Sequence, residues 1–182
     1  LPTIVSRCLQ FHFAPLPAAE VEAILKEKSD LSPAAARLAA QLSEGRPGYA
    51  LQMDALKESE RRSNGLKILD RASRGEDFGQ LFALTNAISK DREISFEEQL
   101  SIFYSLLSDL LELRSGIAAP QLRNLPLRKE LDAVAKRIDA DWVMRALRGL
   151  DQLAAGARRN LNRQLGLDSL AADLSPASFS RK

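Results

Sequence analysis

Two hydrophobic periods run along this chain. Near its start Leu9, Phe11 and Phe13 alternate with Gln10 and His12, a period of two that predicts a short half-buried strand. Pro15 and Pro17 end it, because neither can donate to a ladder, and they set up a helix start. Every later pattern is helical. "AAEVEAILKEK" puts Val21, Ile24 and Leu25 on one stripe. "LSPAAARLAAQLSEG" offers Ser32 as N-cap, Pro33 in the first turn and Gly45 as a stop. "RPGYALQMDALKE" predicts a third helix carrying Ala50, Leu51, Met53 and Leu56. Three short helices with Pro or Gly at each joint make a small bundle with a small core.

The pattern loosens at Ser63, Asn64 and Gly65, which predicts a hinge or boundary there. Longer stripes follow. Phe78, Leu81, Phe82 and Ile88 mark one helix. Phe96, Leu100, Phe103, Leu107 and Leu110 recur at spacings of four and three, an apolar seam that needs a facing helix. After the loop "SGIAAPQLRNLP" come a stripe of Leu127, Leu131, Val134 and Ile138, and a long one from Val143 through Ala146, Leu147, Leu150, Leu153 and Ala157 to Leu161. Trp142 is expected in the core beside it. "NRQLGLDSLAADL" predicts one more short helix, and "SPASFSRK" a frayed end. The fold class is therefore mainly α.

Composition narrows the chemistry. The 182 residues carry a formal charge of +2, with acidic residues in excess over 1–60 and basic ones beyond. That bias is far weaker than the clustered basic face of a dedicated DNA-binding domain. No apolar run approaches the roughly 20 residues of a membrane span, and no secretory leader opens the chain. Cys8 is the only cysteine and His12 the only histidine. A disulfide within the chain is thus impossible, a reducing cytoplasmic setting is expected, and no zinc site of the usual Cys/His type can be assembled. His12 lies on the polar side of the strand pattern, as a surface histidine would. The chain lacks a phosphate-binding glycine loop, a dinucleotide fingerprint and a zinc-protease motif. Glu97/Glu98 and Asp139/Asp141 read as solvated helix faces rather than a converging catalytic pair. No complete active site is expected, and no cofactor.

One stretch carries more. "LPTI.SRC", followed by an apolar strand, "PLP", a three-helix bundle and an "SEGxPGxAL" turn, resembles the bacterial clamp-loader subunits of the AAA+ ATPase family, and within it the delta-prime branch of DNA polymerase III. The motifs cover residues 1 to about 58. "NLNRQLGLDSL" is similar to a signature in the last helix of that branch. The resemblance implies that residues 1–14 end a nucleotide-binding domain, 15–60 form its three-helix lid, and 61–182 form a helical collar for oligomerisation. It implies that Arg7, the arginine of the "SRC" motif, enters the ATP site of a neighbouring subunit as an arginine finger. A guanidinium suits that task, being permanently charged, planar and rich in donors. ATP-binding members carry "GSxRDAL" at the start of the third lid helix, where the arginine senses nucleotide. This chain reads Gly45-Arg46-Pro47-Gly48-Tyr49-Ala50-Leu51, which places Gly48 at the sensor position and Arg46 on the far side of Pro47.

The resemblance thus implies a non-catalytic clamp-loader subunit. Its partners would be the gamma/tau and delta subunits and, through the complex, the sliding clamp and primed DNA, with no membrane and no small-molecule substrate. The abrupt start reads as a cut through a longer protein. The nucleotide-binding domain, and the zinc module this family often carries, are expected ahead of Leu1. The competing readings are a gamma/tau motor subunit, against which Gly48 argues, and a stand-alone helical module that binds a protein or nucleic acid.

Overall fold

In the computed structural model the described residues are 6–9, 11, 13–75, 78–117, 121–157 and 162–176. They fold into helices α1 (Ala18–Lys28), α2 (Pro33–Leu42), α3 (Pro47–Gln52), α4 (Ala55–Arg74), α5 (Phe78–Lys90), α6 (Phe96–Arg114), α7 (Arg128–Ala135), α8 (Ala140–Ala157) and α9 (Arg163–Asp173), with a 3-10 turn at Leu125–Leu127. No strand occurs among the described residues, so the fold is mainly α. The chain forms two compact units, Leu1–Met53 and Asp54–Lys182.

The expected strand is the first correction. Leu9, Phe11 and Phe13 are 81%, 74% and 94% exposed and irregular; Gln10 and His12 lie outside the described residues. A period of two makes a strand only where a neighbouring ladder takes up its backbone groups, and no such ladder is present among the described residues.

In the first unit α1 packs on both α2 and α3. Val21 and Leu25, one turn apart on α1, are fully buried against Ala36, Ala39, Ala40, Leu42 and Ala50. The side chain of Ser32 accepts from the Ala35 amide at 3.3 Å, with Pro33 inside the first turn. Glu44 and Gly45 then turn the chain with positive φ. Gly45 has a second reason to be glycine. Its carbonyl accepts from the Leu16 amide at 3.0 Å, and a Cβ there would stand 2.6 Å from both the Leu16 carbonyl and Pro15. The "PLP" segment is thereby laid against the turn between α2 and α3.

The third helix is shorter than its pattern. It stops at Gln52, and Leu56 belongs to α4, where it is 75% exposed. Asp54 makes the break: its Oδ1 accepts from the Leu56 and Lys57 amides at 3.0 and 3.2 Å, which caps a new helix and not the continuation of an old one. The hinge expected at Ser63, Asn64 and Gly65 is a second correction, because all three sit inside the 20-residue α4. Gly65 marks a close crossing there. A Cβ at that position would lie 3.1 Å from Leu106 Cδ1 on α6.

The second unit is built around α6, which packs against α4, α7 and α8. Phe96, Leu100, Phe103, Leu107 and Leu110, the whole predicted seam, are buried. A capping box starts this helix: Ser95 Oγ accepts from the Glu98 amide at 3.1 Å and Glu98 Oε2 from the Ser95 amide at 2.7 Å. On α8, Trp142, Val143, Ala146, Leu150 and Leu153 face the core, while Leu161 lies outside the described residues. The Trp142 indole donates to the Leu174 carbonyl at 2.9 Å and so pins the end of α9. On α5, Leu81 is buried while Phe78 and Phe82 remain partly exposed.

Candidate functional site

The sequence-predicted site residues lie in the first unit. Arg7 is exposed, in a turn with Ser6. Cys8 beside it is a free, exposed thiol. Gly48 is the second residue of α3, exposed, and a Cβ built on it would have no heavy atom within 4 Å. Nothing steric therefore excludes a longer side chain at this position. Arg46, the nearest guanidinium in sequence, is engaged elsewhere. Its Nε donates to the Ser43 carbonyl at 3.0 Å, and its guanidinium lies over the Tyr49 ring at 4.8 Å.

The second unit holds its charge in closed networks. Arg62 and Glu58, one turn apart on α4, are only 3% and 4% exposed and pair at 2.9 Å. The same guanidinium donates to Asn124 Oδ1 at 2.8 Å and to Ser105 Oγ at 3.3 Å. Asn124 Nδ2 donates to Asp109 at 2.8 Å, and the amides of Arg123 and Asn124 donate to the two Asp109 oxygens at 2.9 and 2.8 Å. Burial nevertheless pushes the Asp109 carboxyl above its ordinary pKa, against the pull of those donors. This knot ties α4 and α6 to the loop ahead of α7. With its donors and acceptors turned inward on each other, it is suited to holding a loop and not to attacking a substrate.

A second network lies at the surface, with Arg61 and Asp91 half-buried and Lys57 and Glu93 exposed. Arg61 reaches Asp91 at 2.8 Å and Glu93 at 2.7 Å, and Lys57 reaches Glu93 at 2.6 Å. The hydrogen bond from Arg61 holds Asp91 below the usual carboxylate range, and the one from Lys57 does the same for Glu93. The paired acids noted in the sequence also have structural work. Glu98 closes the capping box, and its bond from the Ser95 amide lowers its pKa. Asp139 accepts from the Trp142 amide at 2.7 Å at the head of α8. No group of three or more metal-ligating side chains occurs among the described residues, and no described helix is long and apolar enough to cross a membrane.

Sequence reasoning missed the buried knot. Its one available signal was the Glu58–Arg62 spacing of four, which a solvated pair shares. Burial, supplied by α6 and the loop at Asn124, makes the difference.

No curated protein gives a significant match to this chain. The family described as DNA polymerase III, delta subunit, C terminal matches residues 57–175, most of the second unit and well over half of the chain, and the chain belongs to that family.

Proposed function

We propose that this chain is a delta-prime-type subunit of the clamp loader, in which residues 15–60 are a lid that holds no ATP of its own and residues 61–182 are the collar that assembles with the gamma/tau and delta subunits. The observation that carries this reading is Gly48. Open space surrounds it, so an arginine would fit, yet the position offers no charge. Arg46 does not replace it, being held on Ser43 and Tyr49. A lid that senses its own nucleotide needs a guanidinium aimed at phosphate, and this one has none at the sensor position.

Arg7 takes the complementary role. Its exposure leaves it open to a neighbouring subunit, where a guanidinium beside a γ-phosphate stabilises the charge that spreads over the oxygens during transfer. Such a finger is worth a rate factor of roughly 10³–10⁵. The chain would then carry no chemistry alone, and would load the clamp by completing a partner's ATP site and by keeping its place in the ring.

The test is Arg7→Ala in the full-length protein within a reconstituted loader. Clamp- and DNA-stimulated ATP hydrolysis at the site facing Arg7 should fall about a thousandfold or more, with assembly by size-exclusion chromatography unchanged. Normal hydrolysis would remove Arg7 from the mechanism. Tight ATP binding by the full-length subunit alone would favour a motor subunit instead.

A further inference from the structure

The second unit contains a pocket of about 100 Å³ among α4, α5, the loop after α5, and α6. Gly65, Ile88, Ile94, Ile102 and Phe103 give it apolar walls. Gln99, 3% exposed, also lines it. The Gln99 Nε2 donates to the Asp91 carbonyl at 3.0 Å, which fixes the other amide atom as the oxygen. That Oε1 is buried and accepts no hydrogen bond among the described residues. Arg61 and Asp91 line the pocket too, but they bind each other at 2.8 Å and so neutralise one another.

A buried acceptor left without a donor is rare and costly. Of the other polar groups in the lining, Arg61 and Asp91 hold each other and Asn64 Oδ1 accepts from Lys67 at 3.2 Å. Asn64 Nδ2 is the one further donor, so a water on Gln99 Oε1, which needs two to four polar partners, is the competitor that a ligand must displace. A ligand cation or anion would have to break the Arg61–Asp91 pair. What fits is a neutral apolar body with a single donor. The volume approaches that of dry apolar cavities, about 150 Å³, that take up benzene.

We propose that this pocket binds one aromatic ring bearing an N–H or O–H, as in phenol or indole, with the donor on Gln99 Oε1. The ring can come from a tyrosine or tryptophan side chain of another protein or from a free aromatic molecule; the chemistry of recognition is the same. The site is independent of Arg7 and of the subunit's role in ATP hydrolysis.

The test is a titration of the chain, isotope-labelled at isoleucine methyls, with phenol, indole and toluene. Phenol and indole should shift Ile88, Ile94 and Ile102 saturably, and toluene should bind about fivefold more weakly, the factor typical of one neutral hydrogen bond. Gln99→Met should erase that preference. Ala87→Leu, which fills the pocket from α5, should abolish binding of all three and serves as the second variant if Gln99→Met fails to fold. N-acetyltyrosinamide separates the sources: binding as tight as phenol supports a protein side chain, and binding of phenol alone supports a free aromatic. The proposal is overturned if no ring shifts these methyls, the result of a merely water-filled pocket. It is equally overturned if toluene binds the unaltered protein as tightly as phenol does.

Discussion

The two units solve the same problem with different residues. The first packs small side chains: Ala36, Ala39, Ala40 and Ala50 around Val21, Leu25 and Leu42. The second buries Phe96, Phe103 and Trp142 among leucines, and with them a charged pair, Glu58 and Arg62. Alanine lets helices approach closely but removes little apolar area from water, at about 25 cal/mol per Å². A core of that kind has no surplus with which to offset a buried charge. The larger core does, and it uses the charge to hold a loop that apolar contacts alone would leave in several positions. Small helical units thus rest on turn chemistry, and large ones can hold an irregular segment by a buried polar knot.

The sharpest way to break this contrast is Arg62→Ala. It strands Glu58 in the core, and should destabilise the second unit by about 3–5 kcal/mol while leaving the first unit's amide exchange unchanged. Converting both partners, with Glu58→Leu and Arg62→Met together, should recover much of the loss. Chemical denaturation followed by Trp142 fluorescence reads both variants, and a cost under about 1 kcal/mol for Arg62→Ala would show that the knot is ornamental.

A middle-sized effect is expected at Tyr104. Its hydroxyl donates to Asp151 at 2.6 Å between α6 and α8, and burial together with that carboxylate pushes its pKa up to about 12. A raised pKa means that the contribution is complete below the ordinary tyrosine value near 10 and is lost as pH climbs toward about 12. Tyr104→Phe should cost the second unit about 1 kcal/mol at neutral pH and remove the late step from the ultraviolet titration of tyrosine. Survival of that step in the variant would assign it to Tyr49 instead.

The smallest effect belongs to the first unit. Gly48 lies within α3 with open space around it, so Gly48→Ala should stabilise that unit by roughly 0.5–1 kcal/mol through lower backbone entropy in the unfolded chain. A thermal melt that falls instead of rising would mean that Gly48 is held there by local conformation.

Helix periodicity and caps were legible because they are local. Ser32 was readable as a cap because its side-chain oxygen meets the amide three residues on, and the α6 seam has the spacing of one helix face. Ser95 and Asn162 cap in the same way, but only the structure shows it. Errors came where one local rule competed with another. The run through "YALQMDALKE" keeps an apolar spacing, yet Asp54 caps a new helix inside it. Ser63, Asn64 and Gly65 look like a break, yet α6 packs so near that glycine is the residue that fits.

Local pattern alone yielded the helical class, the Ser32 cap and the buried seam of α6, because each depends on neighbours within a turn or two of chain. Only the tertiary structure decided that Glu58 and Arg62 are inside, that Gln99 presents an unused oxygen to a pocket, and that Leu9, Phe11 and Phe13 stand exposed. Those outcomes depend on which distant surface arrives to exclude water, and burial of that kind has no periodicity to read.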